Sequence, residues 1–555
     1  MADRCYCVFE GGGAKGIAHV GALAALEGSR LELVGFAGTS AGAIVAALAA
    51  AGYKADKLFS GEYSILDDID LDPTNIWGFK AHKPVRTPPR LLGRLAWLGI
   101  RTSQLAFKIG IPVAILLLFL SSGALHWMGM LGEAEEFLIQ LGLVLLLIIT
   151  PFYLARPAAG LTRVRNSINQ AIALALVRRR DPTGVPFGPD QMPIGPDGMT
   201  FADLARAGRP PLKIVATDIT NRRLALFSAD ETPHVSIGDA VAASICLPGI
   251  FRPWRVNGNL HYDGGLVSNL PAWVFDAERA LDRDAWTAVV EVSDKRHKLK
   301  PLRWHRILAA TLSTALFGRS TLNTRGVDRL RTAPLEVKLD LLQFGLKRAQ
   351  ALDVVKSARE KCEANLVYQL DVLPLQINEA CAHIAADCRR LIDVARRSER
   401  KRPLKRDLRV GLLFPLRGES RTLLNEFSYG YSNHSDERLR LPLESSLAGW
   451  SLTGSEKLGL RPHTAVYADR FDPALWGSAL TRPQDRWARK LLWKKSQWVL
   501  YVPYFHAPSK QWLVAMIDSD ETLALSSRAT TLEAVVHQIK TILRLSLPQE
   551  AFGWL

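Results

Sequence analysis

The sequence has few cysteines, and none of them is spaced as a metal-binding or redox pair. No C-x-x-C occurs in the 555 residues, which excludes zinc sites of that spacing and thioredoxin-like redox motifs. Cys5 and Cys7 alternate in an apolar stretch that predicts a strand, so both should point to one buried face. We expect all cysteines to be reduced structural residues: Cys5, Cys7, Cys246, Cys362, Cys381 and Cys388.

Acidic residues are also scarce relative to basic ones. The chain has 54 Asp and Glu against 70 Lys and Arg, a formal net charge of +16. This excess favours an acidic partner such as anionic lipid, a nucleotide or nucleic acid, but a solvated positive surface has the same composition. The N-terminus lacks a secretory signal pattern, so we expect the catalytic part to be cytosolic.

Long apolar runs are rare, but two of them follow one another closely. Residues 109–132 and 137–155 carry no formal charge, and about 20 apolar residues suffice to cross a bilayer. Basic residues flank the pair and the short connection is acidic, so both ends should face the cytosol. We interpret residues 101–156 as a transmembrane helical hairpin. A buried helical hairpin, or an apolar lid over the active site, would have the same pattern.

The remaining N-terminal half alternates predicted strands and helices. Residues 5–9, 16–27, 31–40 and 41–52 read as strand, helix, strand and helix, an order that is typical of a parallel α/β sheet. The same character returns after the hairpin and continues to a strand near residue 290. From about residue 304 to residue 402 the chain is predicted to be mostly helical. No internal repeat is found.

A serine with the surroundings of a nucleophile follows the second predicted strand. Gly38–Gly42 reads GTSAG and fits G-x-S-x-G, in which a sharp strand-to-helix turn exposes the hydroxyl of Ser40. A serine nucleophile needs a base, commonly histidine, but no histidine before the C-terminal part has an obvious catalytic turn beside it. Asp263, in the sequence YDGGLVSN, is the candidate base, because a carboxylate within reach of the hydroxyl can accept its proton.

The stretch FEGGGAKGIAH near the N-terminus offers bare backbone N–H groups between a strand and a helix. Acyl transfer develops negative charge on a carbonyl oxygen, and positioned donors stabilise that charge. Gly11, Gly12 and Gly13 are therefore candidate oxyanion donors, supported by the helix dipole. A phosphate-binding loop is the competing interpretation, but neither the dinucleotide fingerprint nor a GK[ST] P-loop is present.

The motifs EGGGAKG, GTSAG and DGG, in that order, resemble the patatin-like phospholipase family over about residues 5–275. The resemblance implies a three-layer α/β/α fold and hydrolysis of glycerolipid esters by a Ser–Asp dyad without catalytic histidine or metal. It implies Ser40 as nucleophile, Asp263 as base and Gly11 to Gly13 as oxyanion donors. No cofactor is expected. The apolar hairpin departs from the family pattern, so the resemblance implies the chemistry but not the route by which substrate reaches the site.

The C-terminal region, in contrast, has no motif of fixed residues. Residues 496–520 predict two adjacent antiparallel strands and residues 531–547 a helix, and the order of elements resembles a GAF domain. That resemblance implies an α+β sensor that binds a small molecule, such as a nucleotide, or that serves for homo-oligomerisation. No cysteine lies in this region, which argues against a covalently attached bilin.

Together these patterns predict a membrane-anchored serine lipid acyl hydrolase that acts on bilayer phospholipid and not on nucleic acid. Its N- and C-terminal domains should be cytoplasmic, and the C-terminal domain should regulate it. A membrane-tethered sensor or scaffold with an inert hydrolase domain, and a lipid acyltransferase, are the alternatives. The predicted segments are a catalytic domain in two parts, the hairpin, a helical linker and a GAF-like domain: 1–100 and 157–335, 101–156, 336–405, and 406–555.

Overall fold

A computed structural model gives the protein as two compact units, Met1–Val367 and Tyr368–Leu555. Apart from a few single positions, the structure describes residues 3–60, 161–177, 198–248, 251–293 (without 283), 329–339 and 348–552 (without 417–420, 432–438, 471 and 487–495). The predicted hairpin at 101–156 lies outside the described residues. Within the described ranges, no helix is long and apolar enough to span a membrane.

The first unit is built on one eight-stranded sheet with the order β5-β6-β3-β2-β1-β7-β8, in which β4 also pairs with β3. Its strands are β1 (Arg4–Phe9), β2 (Glu32–Thr39), β3 (Leu212–Asp218), β4 (Arg223–Phe227), β5 (Trp254–Val256), β6 (Asn259–Asp263), β7 (Trp286–Ser293) and β8 (Leu330–Glu336). The described helices of this unit are α1 (Ala18–Glu27), α2 (Ala41–Ala51), α3 (Ala55–Leu58), α4 (Thr162–Val177), α5 (Phe201–Arg206), α6 (Ile237–Ser244), α7 (Asp276–Leu281) and α8 (Arg348–Cys362).

Strand alternation distributes the core to both faces of this sheet. In β2, Gly38 faces helix α2, whereas Ala37 joins a buried cluster on the opposite face that includes Tyr6 and Phe275. Helix α2 is buried along its whole length because its small residues let it lie close against β2. Helical segments therefore cover both faces of the sheet, as the three-layer prediction requires. The six cysteines are all free and buried, which is consistent with structural roles.

Two features of this sheet differ from the sequence-based prediction. The sheet is mixed: β1, β2, β3, β7 and β8 run parallel, whereas β4, β5 and β6 are antiparallel to their neighbours. Residues 330–336, expected within a mostly helical stretch, form β8 at the edge of the sheet. The sequence LRTAPLE is only partly apolar, and only two of its seven residues are buried, so it predicts a strand weakly. The segment forms a strand because it pairs with the otherwise open edge of β7.

The second unit contains a six-stranded antiparallel sheet with the order β11-β10-β9-β14-β13-β12. Its strands are β9 (Arg409–Pro415), β10 (Thr422–Tyr429), β11 (Arg440–Pro442), β12 (Val466–Asp469), β13 (Trp498–His506) and β14 (Gln511–Ser519). The described helices are α9 (Leu373–Ser398), α10 (Leu447–Thr453), α11 (Pro473–Ser478) and α12 (Arg528–Ser546), and a π-helical stretch, Glu363–Val372, precedes α9.

The two antiparallel strands expected in residues 496–520 are present as β13 and β14, which pair from Trp498–Ser519 to His506–Gln511. One face of the sheet carries a large apolar cluster that includes Leu413, Trp450 and Met516. Helices α9 and α12 pack against each other within this unit. A buried ion pair between Arg409 and Asp518 joins the central strands β9 and β14.

Candidate active site

Ser40 stands at a strained turn between β2 and α2. Its backbone has φ 53° and ψ −124°, a region that side chains other than glycine rarely adopt. The N–H of Ser40 donates to the Ser244 hydroxyl at 2.8 Å, and that hydroxyl donates to the carbonyl of Val215 at 2.6 Å. Helix α6 thus holds the strained peptide in place. Because Ser40 is the N-cap of α2, the helix dipole favours negative charge at its hydroxyl.

The two glycines of GTSAG are required by close backbone approach. A Cβ atom added at Gly38 would lie 2.4 Å from the backbone of Gly42, and one added at Gly42 would lie 2.3 Å from the carbonyl oxygen of Phe9. Both distances are far below van der Waals contact. The sharp turn that presents Ser40 can therefore form only with glycine at these two positions.

Asp263 is brought to Ser40 by the pairing of strands on either side of β3. Val215 of β3 pairs with Thr39, the residue before Ser40, and Ala216 pairs with Asp263 at the end of β6. The strands on the two sides of β3 therefore end beside each other. The structure thus brings together the two side chains that the sequence singled out, although helices α2 to α6 lie between them in the chain.

The carboxyl group of Asp263 is fully buried and faces the Ser40 hydroxyl. Its Oδ1 accepts a hydrogen bond from the N–H of Gly265 at 2.8 Å. Its Oδ2 has no partner of standard hydrogen-bond geometry among the described residues. Burial raises the pKa of Asp263 to about 7, partly offset by the hydrogen bond from Gly265 and by the nearby Ser40 side chain. A carboxyl group with this pKa can both take and return a proton near neutral pH.

The glycine loop lies against the same site, with Gly11 close to Ser40. The N–H of Gly11 donates to the backbone carbonyl of Asn269 at 3.0 Å, so it is engaged and we leave it out of the oxyanion hole. For the N–H groups of Gly12 and Gly13, both buried, no hydrogen bond to a described residue is found. Gly13 has φ 53° and begins the short 3-10 turn that leads into α1. These two N–H groups are the candidate oxyanion donors.

Glu10 anchors the start of this loop. Its Oε2 accepts from the N–H of Val292 at 2.7 Å, and its Oε1 accepts from Asn269 Nδ2 at 3.0 Å. Burial raises the pKa of Glu10 to about 8, with Glu291 adding to the rise and Lys15 opposing it. Because the carboxyl is then mostly neutral at pH 7, the loop gains hydrogen bonds without a buried charge.

Neither of the two buried histidines among the described residues of the first unit replaces Asp263 as the candidate base. His19 is fully buried, and its Nε2 donates to the carbonyl of Glu10 at 2.7 Å. Burial lowers the pKa of His19 to about 4, so the ring is neutral at physiological pH. His261 lies on β6, where its Nδ1 is 3.2 Å from the carbonyl oxygen of Asn259 and burial lowers its pKa. Both histidines serve the packing of the loops and strands.

Comparison with known protein families identifies the part of the chain that contains this site. The family model of patatin-like phospholipases matches residues 7–276, the span that holds the glycine loop, Ser40 and Asp263. This span belongs to the patatin-like phospholipase family. The sequence-based resemblance is thereby confirmed for the first unit. The predicted roles of the individual site residues remain predictions, for which the geometry above supplies the structural setting.

The chain is also similar to parts of other proteins. An uncharacterised protein, R571, of Acanthamoeba polyphaga mimivirus is 42% identical over 65 residues, 12% of this chain and 22% of that protein. The chain thus matches only about a fifth of that relative's length. VipD of Legionella pneumophila is 20% identical over 68% of this chain and 69% of its own, with a TM-score of 0.32.

Two further solved structures show similarly low identity and TM-scores. ExoU in its complex with SpcU from Pseudomonas aeruginosa is 16% identical over 72% of this chain and 63% of its own, with a TM-score of 0.30. A GAF domain of a sensor histidine kinase from Bacillus halodurans is 21% identical over 26% of this chain and 84% of its own, with a TM-score of 0.18. TM-scores this low do not establish a shared fold.

Two residues of the patatin-like site were missed by the sequence analysis. Ser244, which supports Ser40, lies in a helix whose sequence gave no sign of a polar role. Asn269, which contacts the glycine loop, follows the DGG motif by a few residues, and no pattern in the sequence marks it. In both cases the role depends on a contact between segments more than 200 residues apart, which no local pattern records.

Proposed function

We propose that the protein is a lipid acyl hydrolase that cleaves ester bonds of glycerolipids, with Ser40 as nucleophile and Asp263 as general base. The single observation that carries this proposal is the strained Ser40 turn next to a buried carboxyl group whose pKa is raised to about 7. The family of residues 7–276 supplies the substrate class.

Acylation begins with proton transfer from the Ser40 hydroxyl to Asp263 Oδ2 while the Ser40 oxygen attacks the ester carbonyl. The carbonyl oxygen becomes an oxyanion, which the N–H groups of Gly12 and Gly13 stabilise. When the tetrahedral intermediate collapses, the bond to the alcohol breaks and Asp263 returns its proton to that leaving group. The fatty acyl chain is now an ester of Ser40.

Deacylation repeats these steps with water. Asp263 takes a proton from a water molecule as its oxygen attacks the acyl carbon, and the same N–H groups stabilise the second oxyanion. Collapse releases the fatty acid, and Ser40 regains the proton held by Asp263. An alcohol or lysolipid in place of water would transfer the acyl chain instead, so product analysis with and without such acceptors separates hydrolysis from transfer.

Anchoring in the bilayer is part of the proposal. Two uncharged stretches at 109–132 and 137–155, with basic flanks, support a hairpin inserted from the cytosolic side. It would hold Ser40 near its lipid substrate. We expect the full-length chain to stay in the membrane pellet after extraction with alkaline carbonate. Complete release into the supernatant would contradict an integral hairpin.

Control by the second unit is also part of the proposal. Its antiparallel sheet with two flanking helices supports a sensor or dimerisation role, and a small-molecule ligand would act by binding one state of the protein better than another. We expect one member of a nucleotide panel to change fatty-acid release or oligomeric state of the purified full-length protein. No change across the panel would remove the support for nucleotide control.

The hydrolase proposal is tested by mass spectrometry of lipids after incubation of vesicles with purified full-length protein. Wild type should release fatty acid and lysolipid. Ser40→Ala and Asp263→Ala should each abolish release while their folding, followed by circular dichroism, stays unchanged. Ser29 is a turn serine whose hydroxyl donates to the carbonyl of Leu26 and accepts from the N–H of Leu31. Ser29→Ala is therefore the matched control and should retain full activity. Undiminished release by Ser40→Ala would overturn the proposal.

A further inference from the structure

We infer that Asn269 is the positioning residue that holds the oxyanion loop and the general-base loop of this site in one fixed geometry. The inference rests on the proposed function, because it assigns Asn269 a role in that same reaction. Asn269 touches neither the nucleophile's hydroxyl nor the base. It acts through Gly11 and Glu10, with which it forms every hydrogen bond recorded for its amide and carbonyl.

Three hydrogen bonds join Asn269 to the glycine loop. Its backbone carbonyl accepts from the N–H of Gly11 at 3.0 Å. Its side-chain Nδ2 donates to the carbonyl of Gly11 at 3.1 Å and to Glu10 Oε1 at 3.0 Å. Both backbone groups of Gly11 are therefore bonded to one residue. Because Gly12 and Gly13 follow directly, the direction of their free N–H groups depends on this attachment.

The Glu10 end of this attachment is held by strand β7. Glu10 donates its N–H to the carbonyl of Val290 at 3.1 Å and accepts from the N–H of Val292 at 2.7 Å, so it is fixed to β7. Asn269 thereby bonds to a carboxyl group that cannot shift without breaking strand contacts. The oxyanion loop is held from both sides, by β7 and by Asn269.

The general-base loop is fixed along the same segment. The Thr39 hydroxyl donates to the carbonyl of Ser268 at 2.9 Å, and the Thr217 hydroxyl donates to the carbonyl of Asp263 at 2.8 Å. The N–H of Ser268 donates to Gly264 at 2.9 Å, which closes the turn between them. Residues 263–269 thus form one rigid piece, with the base at its start and Asn269 at its end.

The space around Gly11 supports this role independently of the hydrogen bonds. A Cβ atom at Gly11 would lie 2.2 Å from Asn269 Oδ1 and 3.2 Å from the Cβ of Ser40. Asn269 Oδ1 is buried and has no hydrogen-bond partner among the described residues, so this oxygen fills the space that a side chain at position 11 would need. The first glycine of the loop therefore accommodates Asn269, although its N–H is not available to an oxyanion.

Hydrogen–deuterium exchange of the full-length protein tests the attachment without relying on activity. Asn269→Ala should speed exchange in the peptide that covers residues 10–13. Asn169→Ala is the matched control: Asn169 is equally buried, at 4% exposure, and bonds to Ser236 and Gly238 rather than to the glycine loop. The control should loosen that region and leave residues 10–13 unchanged. Unchanged exchange of residues 10–13 in Asn269→Ala would overturn the inference.

Steady-state kinetics with a soluble ester then test the consequence for catalysis. Asn269→Ala should lower kcat by about 100-fold with little change in KM, because the donors are misplaced in the transition state but the acyl chain is still bound. Asn169→Ala, assayed at a temperature at which it is folded, should have the wild-type kcat. A normal kcat in a folded Asn269→Ala would overturn the inference. An inactive wild type would instead overturn the proposed function, while the exchange data would still decide the attachment.

A double variant that swaps the hydrogen-bond donor and acceptor between positions 269 and 10 tests the same contact in case the alanine variant misfolds. At pH 9, where the Glu10 carboxyl is mostly ionised because its pKa is about 8, Asn269→Asp places an acceptor opposite Glu10 Oε1 and the carbonyl of Gly11, and should lower kcat strongly. Adding Glu10→Gln restores a donor opposite Asp at position 269, while the one oxygen of the Gln amide still accepts from the N–H of Val292. The kcat of the double variant should be at least tenfold higher than that of Asn269→Asp alone. If the kcat of the double variant equals the product of the two single-variant effects, the two side chains are not directly coupled.

Discussion

The buried state of Asp263 leads to a pH dependence that ordinary aspartate would not give. In the proposed role of general base, Asp263 must be ionised in the free enzyme. With its pKa at about 7, roughly 9% of it is ionised at pH 6 and roughly 91% at pH 8, so kcat/KM should rise about tenfold between them. At the ordinary value of 3.8 the carboxyl would be ionised throughout and the profile would be flat.

The assay for this prediction uses a soluble short-chain ester, because vesicle binding could itself change with pH. Initial rates at low substrate concentration, from pH 5 to pH 9, give kcat/KM directly. Ser40→Ala supplies the background of hydroxide-catalysed hydrolysis. A rise with its midpoint near pH 7 is expected. A flat profile above pH 5 would refute the reasoning that burial of Asp263 sets the ionisation of the base.

The same pKa has an opposite effect on stability. Because burial raises the pKa of Asp263, the folded state holds a proton that the unfolded chain releases, so the free energy of unfolding falls as the pH rises from about 4 to about 7. The loss amounts to about 4 kcal/mol for a shift of this size. Asp263→Asn removes this titration and should be inactive but more stable than wild type at pH 8, and no more stable at pH 4. Glu10 has the same sign of shift but is present in both proteins.

Other substitutions test the supports of the site and of the second unit. Ser244→Ala should lower kcat and destabilise the fold by about 1–3 kcal/mol, since it leaves the nucleophile's N–H buried and unpaired; wild-type kcat would contradict this. Gly42→Ala should prevent folding or activity, whereas Gly28→Ala, whose Cβ would be 3.4 Å from its nearest neighbour, should be close to neutral in thermal unfolding. Asp518→Ala should destabilise the second unit by about 3–5 kcal/mol because Arg409 loses its buried partner, as measured by urea unfolding; a loss below about 1 kcal/mol would show that this ion pair is unimportant.

The short-range features of the site could be predicted because each depends on neighbouring residues. The turn at Ser40 needs glycines at fixed offsets, and the end of α2 at Gly52 needs a residue that adopts positive φ, here 101°. Such requirements are visible in the sequence. The strands β1, β2, β3 and β7 could also be predicted from neighbouring residues, because each is a short apolar run that the sheet buries on both faces.

What could not be predicted depends on which segments meet. The occupied N–H of Gly11 follows from Asn269, which lies 258 residues away. The strand β8 follows from the free edge of β7 rather than from its own sequence. The raised pKa of Asp263 is a property of its burial, which a count of charges near it in the chain does not contain.

The order of these segments along the chain has a consequence during synthesis on the ribosome. Ser40 emerges early, but the hydroxyl that supports its peptide is 204 residues further on, and its base comes later still. A nascent chain that has exposed only the first two strands therefore has a nucleophile without a base. The proposed Ser–Asp dyad is therefore complete only after the apolar stretches at 109–155 have been translated.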